Sequence, residues 1–280
     1  MKKILLPTDF SDNAFNAIEY ALQLFEKEEC TFYLLNVYTP IVYDTEYIGY
    51  SSINPGLDEI YKNNSAVGLQ KLEKKIKQTF SNKLHHFKQI SSFNLLTDEI
   101  NEQVENEHID LIIMGTQGAT GAKEVLFGST TIRVIHRAKI PVLAIPSDYV
   151  FKGIQEILFP TDYEIDYNTS QLRWLNYLST KENSALHVIH ASEKDFLSSE
   201  QKKKKAQLEE KLESKNHKFK IVEGNNIPKL IYEYEKKNAI DLLAMVNNKH
   251  SFFENLFFKQ VIDEIGFHTK VPFLVIPSQS

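Results

Sequence analysis

"MGTQGATGAKEVLFGSTTIRVIHRAKIPVLAIP", residues 114–146, returns in outline as "MVNNKHSFFENLFFKQVIDEIGFHTKVPFLVIP", residues 245–277. The two stretches align without a gap, but only the first has glycines at positions 115, 118 and 128. An internal repeat of this length indicates that one structural unit occurs twice in the chain.

Three further pairs of stretches extend the repeat toward the start of each copy. They are "KILLPTDFS" (3–11) with "EILFPTDYE" (156–164), "TFYLLNVYT" (31–39) with "ALHVIHASE" (185–193), and "IDLIIMG" (109–115) with "IDLLAMV" (240–246). We therefore predict two domains of ordinary size, residues 1–147 and 153–280, which are called the first half and the second half below.

Each copy alternates short apolar runs with longer segments of helical periodicity, which predicts an α/β fold built on parallel strands. In the first half we expect strands at 4–6 and 31–37, and a helix after Ser11 or Asp12 as its N-cap. A second helix is predicted to begin at residue 65. The segment 38–64 before it is longer than an ordinary connection, so we interpret it as a flap or an interaction surface.

Composition excludes several classes of function. The formal net charge is -5, which gives no electrostatic reason to expect binding to nucleic acid or to an anionic membrane. Cys30 is the only cysteine, so no intrachain disulfide can form and a reducing compartment is expected. No apolar run approaches the ~20 residues that span a bilayer, and the first apolar run is too short for a signal peptide. We therefore expect a cytoplasmic protein.

The glycine stretch has the features of an anion site. Gly115 directly follows an apolar strand, and ligands of open parallel sheets bind at the carboxyl ends of the strands. A missing side chain at Gly115 and Gly118 would let a ligand touch the backbone. Gly128 and Ser129 precede a helix, where we expect a hydroxyl N-cap, free N–H groups and the positive end of the helix dipole. Phosphate is the predicted ligand.

Asp9 follows the first strand and belongs to the same edge of the sheet. A carboxylate there can accept hydrogen bonds from ribose hydroxyls. The alternative is that Asp9 only caps a helix and that the glycines only form turns.

Gly115, Gly118, Gly128 and Ser129 have the spacing G-x2-G-x9-G-[ST], which resembles the ATP-binding signature of the universal stress protein family. The stretches "ILLPTDFS", "DLIIMGT" and "IPVLAIP" are also similar to that family, and the likeness covers almost the whole chain as a tandem of two such domains.

The resemblance implies a five-stranded parallel sheet of order 3-2-1-4-5 in each half, with helices on both faces and ATP across the carboxyl edge of the first. The residues implied to hold adenine and ribose are Pro7, Thr8, Asp9 and Val37. The residues implied to hold the phosphates are Met114, Gly115, Gly118, Gly128, Ser129 and Thr130. Mg²⁺ or Mn²⁺ would accompany ATP without protein side-chain ligands, and AMP or another adenine nucleotide is the alternative ligand.

The second copy lacks this signature. Val246, Lys249, Lys259 and Gln260 stand where the first copy has its three glycines and Ser129. We expect no ATP there, although the "FPTD" motif with Asp162 is kept.

The resemblance further implies that the last strands of the two halves pair within the chain, while a homodimer and an unidentified protein partner stay open. The predicted function is that of an ATP-binding regulatory protein of the stress response. The alternatives are a weak ATPase or phosphotransferase, for which no catalytic set beyond Asp9 and Lys123 is evident, and a nucleotide-independent scaffold.

Overall fold

A computed structural model of the chain describes residues 1–38, 57–117, 127–192, 196–224, 227–247 and 270–278. In the first half the elements are β1 (Lys2–Pro7), α1 (Asp12–Leu24), β2 (Cys30–Tyr38), α2 (Leu57–Thr79), β3 (His85–Phe93), α3 (Leu96–Glu107), β4 (Leu111–Gly115), α4 (Ser129–Arg137) and β5 (Val142–Ile145). In the second half they are β6 (Glu156–Pro160), α5 (Thr169–Lys181), β7 (Ala185–Ser192), α6 (Ser199–Lys211), β8 (His217–Glu223), α7 (Ile227–Lys237), β9 (Leu242–Asn247) and β10 (Phe273–Pro277).

The strands form one ten-stranded sheet of order β3-β2-β1-β4-β5-β10-β9-β6-β7-β8. This confirms the predicted order 3-2-1-4-5 in the first half, and the second half has the same order. Neighbouring strands are parallel within each half, whereas β5 and β10 run antiparallel, with Leu143 opposite Leu274. The last strands of the two halves thus join them into a continuous sheet.

Side chains alternate between the two faces of the sheet, as the pleat of a strand requires. Along β1, Ile4 and Leu6 belong to one buried cluster and Leu5 to the other. The first cluster receives apolar side chains from α1, α2, α5 and α6. The second receives them from α3, α4 and α7. Helices therefore cover both faces, and this is why the strands read as nearly continuous apolar runs.

Two predicted boundaries differ from the structure. The second strand is one residue longer at each end than 31–37. Helix α2 begins at Leu57 rather than at residue 65. Its first turns face solvent, with Ile60 exposed, so they lack the apolar stripe by which the sequence marks a helix. Residues 39–56, the rest of the proposed flap, lie outside the described ranges.

The single cysteine lies in the core. Cys30 begins β2 and is fully buried. Burial raises the pKa of its thiol to about 11, so the thiolate needed for nucleophilic chemistry does not form near neutral pH.

Candidate functional site

The ends of β1 and β4 lie side by side at the carboxyl edge of the first half. The two strands pair in parallel, with Leu5 opposite Ile112, so Pro7 and Gly115 end at the same edge. Strand β2 continues past β1, since Leu35 is already opposite Pro7. This arrangement makes the crevice in which open α/β sheets bind their ligands.

A tight turn after β1 presents Asp9 at this edge. The Thr8 hydroxyl accepts the N–H of Phe10 at 3.0 Å, and Phe10 adopts a φ of 64°. Asp9 is exposed, and its Oδ1 accepts the N–H and the hydroxyl of Ser11 at 3.1 and 2.6 Å. Ser11 in turn is the N-cap of α1, as predicted, and accepts the N–H of Ala14. The carboxylate is thus held by the turn and directed to the edge.

The end of β2 forms one wall of the crevice. Val37 is half-buried and packs on the second core cluster. The preceding residue, Asn36, is buried and donates its Nδ2 to the Thr8 carbonyl at 2.7 Å. Sequence analysis missed Asn36, although a polar residue inside a buried strand is a signal for such a contact.

The N-terminus of α4 is tied to the end of β4. Gly128 donates its N–H to the Thr116 carbonyl at 2.7 Å. The buried Thr131 hydroxyl bridges the carbonyls of Gly115 and Thr116 at 3.0 and 3.1 Å. Sequence analysis also missed Thr131, because its spacing from β4 gives no sign of this contact. As a result the first turn of α4 faces the same edge as Asp9.

The first turn of α4 has the properties of an anion site. Ser129 and Thr130 are exposed, and the first N–H groups of a helix have no acceptor within the helix. The helix dipole adds positive potential at this end.

The predicted hydroxyl N-cap is wrong. The N-cap is Gly128, with φ -63° and ψ 153°, and no side chain caps the helix. Since Gly128 already has the extended backbone of a cap, the helix begins at Ser129, whose hydroxyl belongs to the first turn instead.

Gly115 has a packing role that the sequence did not predict. A Cβ on Gly115 would lie 3.1 Å from the backbone oxygen of Asn13 and 3.2 Å from its Nδ2. The missing side chain therefore lets α1 approach β4. Asn13 also donates its Nδ2 to the Gln117 carbonyl at 2.6 Å, which holds the chain just after β4 against α1.

Two of the remaining predicted residues lie at the ends of strands. Pro7 and Met114 are buried at the ends of β1 and β4. Gly118, Lys249, Lys259 and Gln260 lie outside the described residues.

The second half has the same turn after its first strand, but there a residue of α6 covers the turn. The Thr161 hydroxyl accepts the N–H of Tyr163, and Asp162 Oδ1 accepts the N–H of Glu164, both at 3.0 Å. From α6, Gln201 donates its Nε2 to the Asp162 carbonyl at 3.1 Å. Burial raises the pKa of the Asp162 carboxyl. The carboxylate is thus less accessible than that of Asp9.

The connection before the first helix also differs between the halves. It comprises residues 8–11 in the first half and 161–168 in the second. The Tyr167 hydroxyl in the longer connection lies 2.5 Å from Thr161 Oγ1. Val246, which is buried, takes the place of Gly115. The first helix of the second half begins only at Thr169.

A groove of about 830 Å³ lies at the opposite, amino edge of β1. Its lining residues are Lys2, Thr169, Ser170, Arg173, Trp174, Tyr177, Thr180, Lys181 and Glu213. The cations among them are paired, Lys2 and Lys181 with Glu28 and Arg173 with Asp110. This groove is separate from the carboxyl edge.

Within the described ranges, no group of three or more His, Cys, Asp or Glu side chains is arranged to hold a metal ion. A search of the same residues found no helix that is both long and apolar enough to span a membrane.

The protein is an α/β protein with an open sheet that is parallel within each half. At the carboxyl edge of the first half, a crevice lies beside the N-terminus of α4. The model of the universal stress protein family matches residues 1–146 and 153–277. The chain therefore belongs to the universal stress protein family, with two matched regions.

Two relatives come from Methanocaldococcus jannaschii. Universal stress protein MJ0531 is 31% identical over 149 residues, which cover 51% of this chain and 81% of that protein. Universal stress protein MJ0577 is 32% identical over 154 residues, which cover 51% of this chain and 94% of that protein. Each relative thus corresponds to about half of the present chain.

One solved structure matches the fold of the whole chain. A universal stress protein from Archaeoglobus fulgidus covers 99% of this chain and 97% of its own, with a TM-score of 0.69 and 20% identity. The tandem fold is therefore shared along the whole chain. A universal stress protein solved in complex with cAMP covers 51% of this chain and 96% of its own, with a TM-score of 0.38 and 18% identity.

Proposed function

We propose that the first half, residues 1–147, binds an adenine nucleotide, ATP, at the carboxyl edge of β1 and β4. The observation that carries the proposal is the set of hydrogen bonds by which Gly128 and Thr131 attach the start of α4 to the end of β4. They hold a helix N-terminus at the edge where Asp9 is exposed. Phosphate and ribose need these two kinds of group, N–H donors for the anion and a carboxylate for the hydroxyls.

In this proposal two sets of residues hold different parts of the nucleotide. Adenine and ribose are held by Pro7, Thr8, Asp9 and Val37. The phosphates are held by the backbone and hydroxyls of Met114, Gly115, Gly118, Gly128, Ser129 and Thr130. Any Mg²⁺ or Mn²⁺ would be carried by the phosphates.

The second half, residues 153–280, would complete the architecture without binding ATP. Gln201 covers the turn of Asp162, and Val246 replaces the first glycine of the signature. Its role would be to pair β10 with β5, so that the last strand of neither half is left as an edge open to aggregation. We propose that the chain is a cytoplasmic regulatory protein in which bound nucleotide alters a surface read by a protein partner.

The test is calorimetric titration of the nucleotide-free full chain with Mg-ATP. We expect one site per chain, with about -8 kcal/mol of binding free energy for micromolar affinity. Gly118→Val should abolish binding, because a branched side chain would fill the space for a phosphate. Lys249→Val, at the aligned position of the second half, should leave binding unchanged. Two sites would contradict the assignment of the second half, and none would favour the scaffold alternative.

A further inference from the structure

Arg133 lies one helical turn after Ser129 in α4 and is exposed. Its Nε donates to the Ser129 carbonyl at 3.2 Å. Side chains of a helix point back toward its N-terminus, so the guanidinium lies beside the first turn. Among the described residues, its two terminal nitrogens have neither a hydrogen-bond acceptor nor an acidic partner.

Arg133 is the fifth of the nine residues of α4, and its guanidinium extends back toward the first turn, where a cation gains nothing from the helix dipole. A cation near a helix N-terminus opposes the dipole, and basic residues normally lie in the last turn. In α4 the last turn already has His136 and Arg137. An anion bound at the N–H groups of Ser129 and Thr130 would reverse the sign of the interaction, because Arg133 would then face a negative charge.

The second half loses this cation together with the glycine signature. The position aligned with Arg133 is Glu264, and Gly128 and Ser129 are replaced by Lys259 and Gln260. An acidic side chain at this position would repel a phosphate. The first half therefore has a positive side chain at this position and the second half a negative one, as expected if only the first half binds phosphate.

We propose that Arg133 binds the terminal phosphates of the nucleotide and sets a preference for the triphosphate over the monophosphate. The inference rests on the nucleotide site proposed above. The guanidinium is a planar fork that matches phosphate oxygens, and its bond to the Ser129 carbonyl orients the fork. In this arrangement the backbone N–H groups would hold the phosphate nearest the ribose, and each further phosphate would add charge that the fork could bind.

The test compares ATP and AMP binding to the nucleotide-free full chain and to two charge-matched variants. Arg133→Gln should weaken ATP binding about tenfold, while AMP binding changes less than about twofold, as expected for loss of a charge-assisted bond to the outer phosphates. Arg137→Gln removes the same charge from the other end of α4, and both affinities should stay as in the unaltered protein. Raising the salt concentration should weaken ATP binding less in Arg133→Gln than in Arg137→Gln.

Thermal unfolding of the nucleotide-free variants provides a second readout. Arg133→Gln should not lower the midpoint, because the substitution removes a charge that opposes the helix dipole. A lower midpoint with equal losses for ATP and AMP would show that Arg133 is only structural and would overturn the inference. ATP affinity unchanged in Arg133→Gln would overturn it too, with the nucleotide site intact. If the unaltered protein binds neither nucleotide, the proposed function fails and this inference fails with it.

Discussion

The backbone of Gly115 at the end of β4 lies against Asn13 in the first turn of α1. A Cβ on Gly115 would be 3.1 Å from the Asn13 carbonyl oxygen, closer than ordinary van der Waals contact, which begins at 3.4 Å. The first glycine of the signature thus has a packing role in addition to any contact of its backbone with a ligand. Because Asn13 also bonds the Gln117 carbonyl, the same contact positions the chain that leads into the glycine loop.

Substitution of Gly115 by alanine is predicted to destabilise the protein by about 1 to 2 kcal/mol, because an added methyl group overpacks the contact between α1 and β4. Urea unfolding of Gly115→Ala measures the change. Gly68→Ala is the control, since the atoms nearest to its Cβ would belong to the ring of Phe10, which is exposed and can move. Alanine in place of glycine within a helix should then leave stability unchanged or raise it by up to about 1 kcal/mol. Equal losses at both positions would contradict this account of Gly115.

The strands themselves could be predicted from local patterns that occur twice in the chain, whereas their order 3-2-1-4-5 was implied by the resemblance to the universal stress protein family. Short apolar runs at matching offsets indicate parallel strands, and the repeated "PTD" motifs place the ends of β1 and β6. The turn at Asp9 and the cap at Ser11 also depend on neighbours in sequence only. Such features are readable without knowledge of the tertiary structure.

Contacts between distant residues could not be predicted in this way. Asp9 and Asp162 have the same local motif, and nothing in that motif indicates that Gln201 of α6 donates a hydrogen bond to the Asp162 carbonyl. The N-cap of α4 was misassigned because the backbone of Gly128 is held by Thr116, twelve residues earlier in the chain. Sequence periodicity contains no information about such pairs, since it describes which face is buried but not what covers it.

Asp9 and Asp162 provide a matched pair for testing which half binds the nucleotide. Asp9→Asn is predicted to lower the affinity for Mg-ATP about fivefold, because a neutral acceptor binds ribose hydroxyls about 1 kcal/mol less strongly than a carboxylate. Asparagine keeps an oxygen that can accept the N–H of Ser11, so the turn should be retained. Asp162→Asn should leave the affinity unchanged. Calorimetric titration of both variants gives the comparison, and a larger effect from Asp162→Asn would assign the site to the second half.

Trp174 reports on the contact between the halves. It is the only tryptophan of the chain, is 4% exposed, and donates its indole N–H to the Asp110 carbonyl of the first half at 2.8 Å. We predict that the red shift of its fluorescence coincides with the loss of far-UV circular dichroism in urea, because the continuous sheet makes the halves one cooperative unit. A fluorescence change at lower urea would show that the halves separate before they unfold.

Glu28 links the halves through charge. Its carboxylate contacts Lys2 of β1 and, from α5, the Tyr177 hydroxyl and Lys181, the last at 3.0 Å. Burial alone would raise the pKa of Glu28, but the hydrogen bonds from these three groups lower it to about 2. These partners hold α5 of the second half against the start of the first.

Glu28 should therefore make stability depend on pH in the acid range. The pKa is about 2 in the folded protein and about 4.3 in an unfolded chain, so the ionised carboxylate stabilises the fold above about pH 5, and this contribution is lost as the pH falls toward 2. Because solvent screens a group this near the surface, we expect Glu28→Gln to cost about 1 to 2 kcal/mol at pH 7. Urea unfolding from pH 7 to pH 2.5 should show the variant and the unaltered protein converging as the pH falls. Glu105→Gln, at an exposed pair with Lys139, should follow the unaltered protein throughout. If the difference in free energy of unfolding between Glu28→Gln and the unaltered protein stays constant with pH, the Glu28 side chain stabilises the fold through its shape and not through its charge.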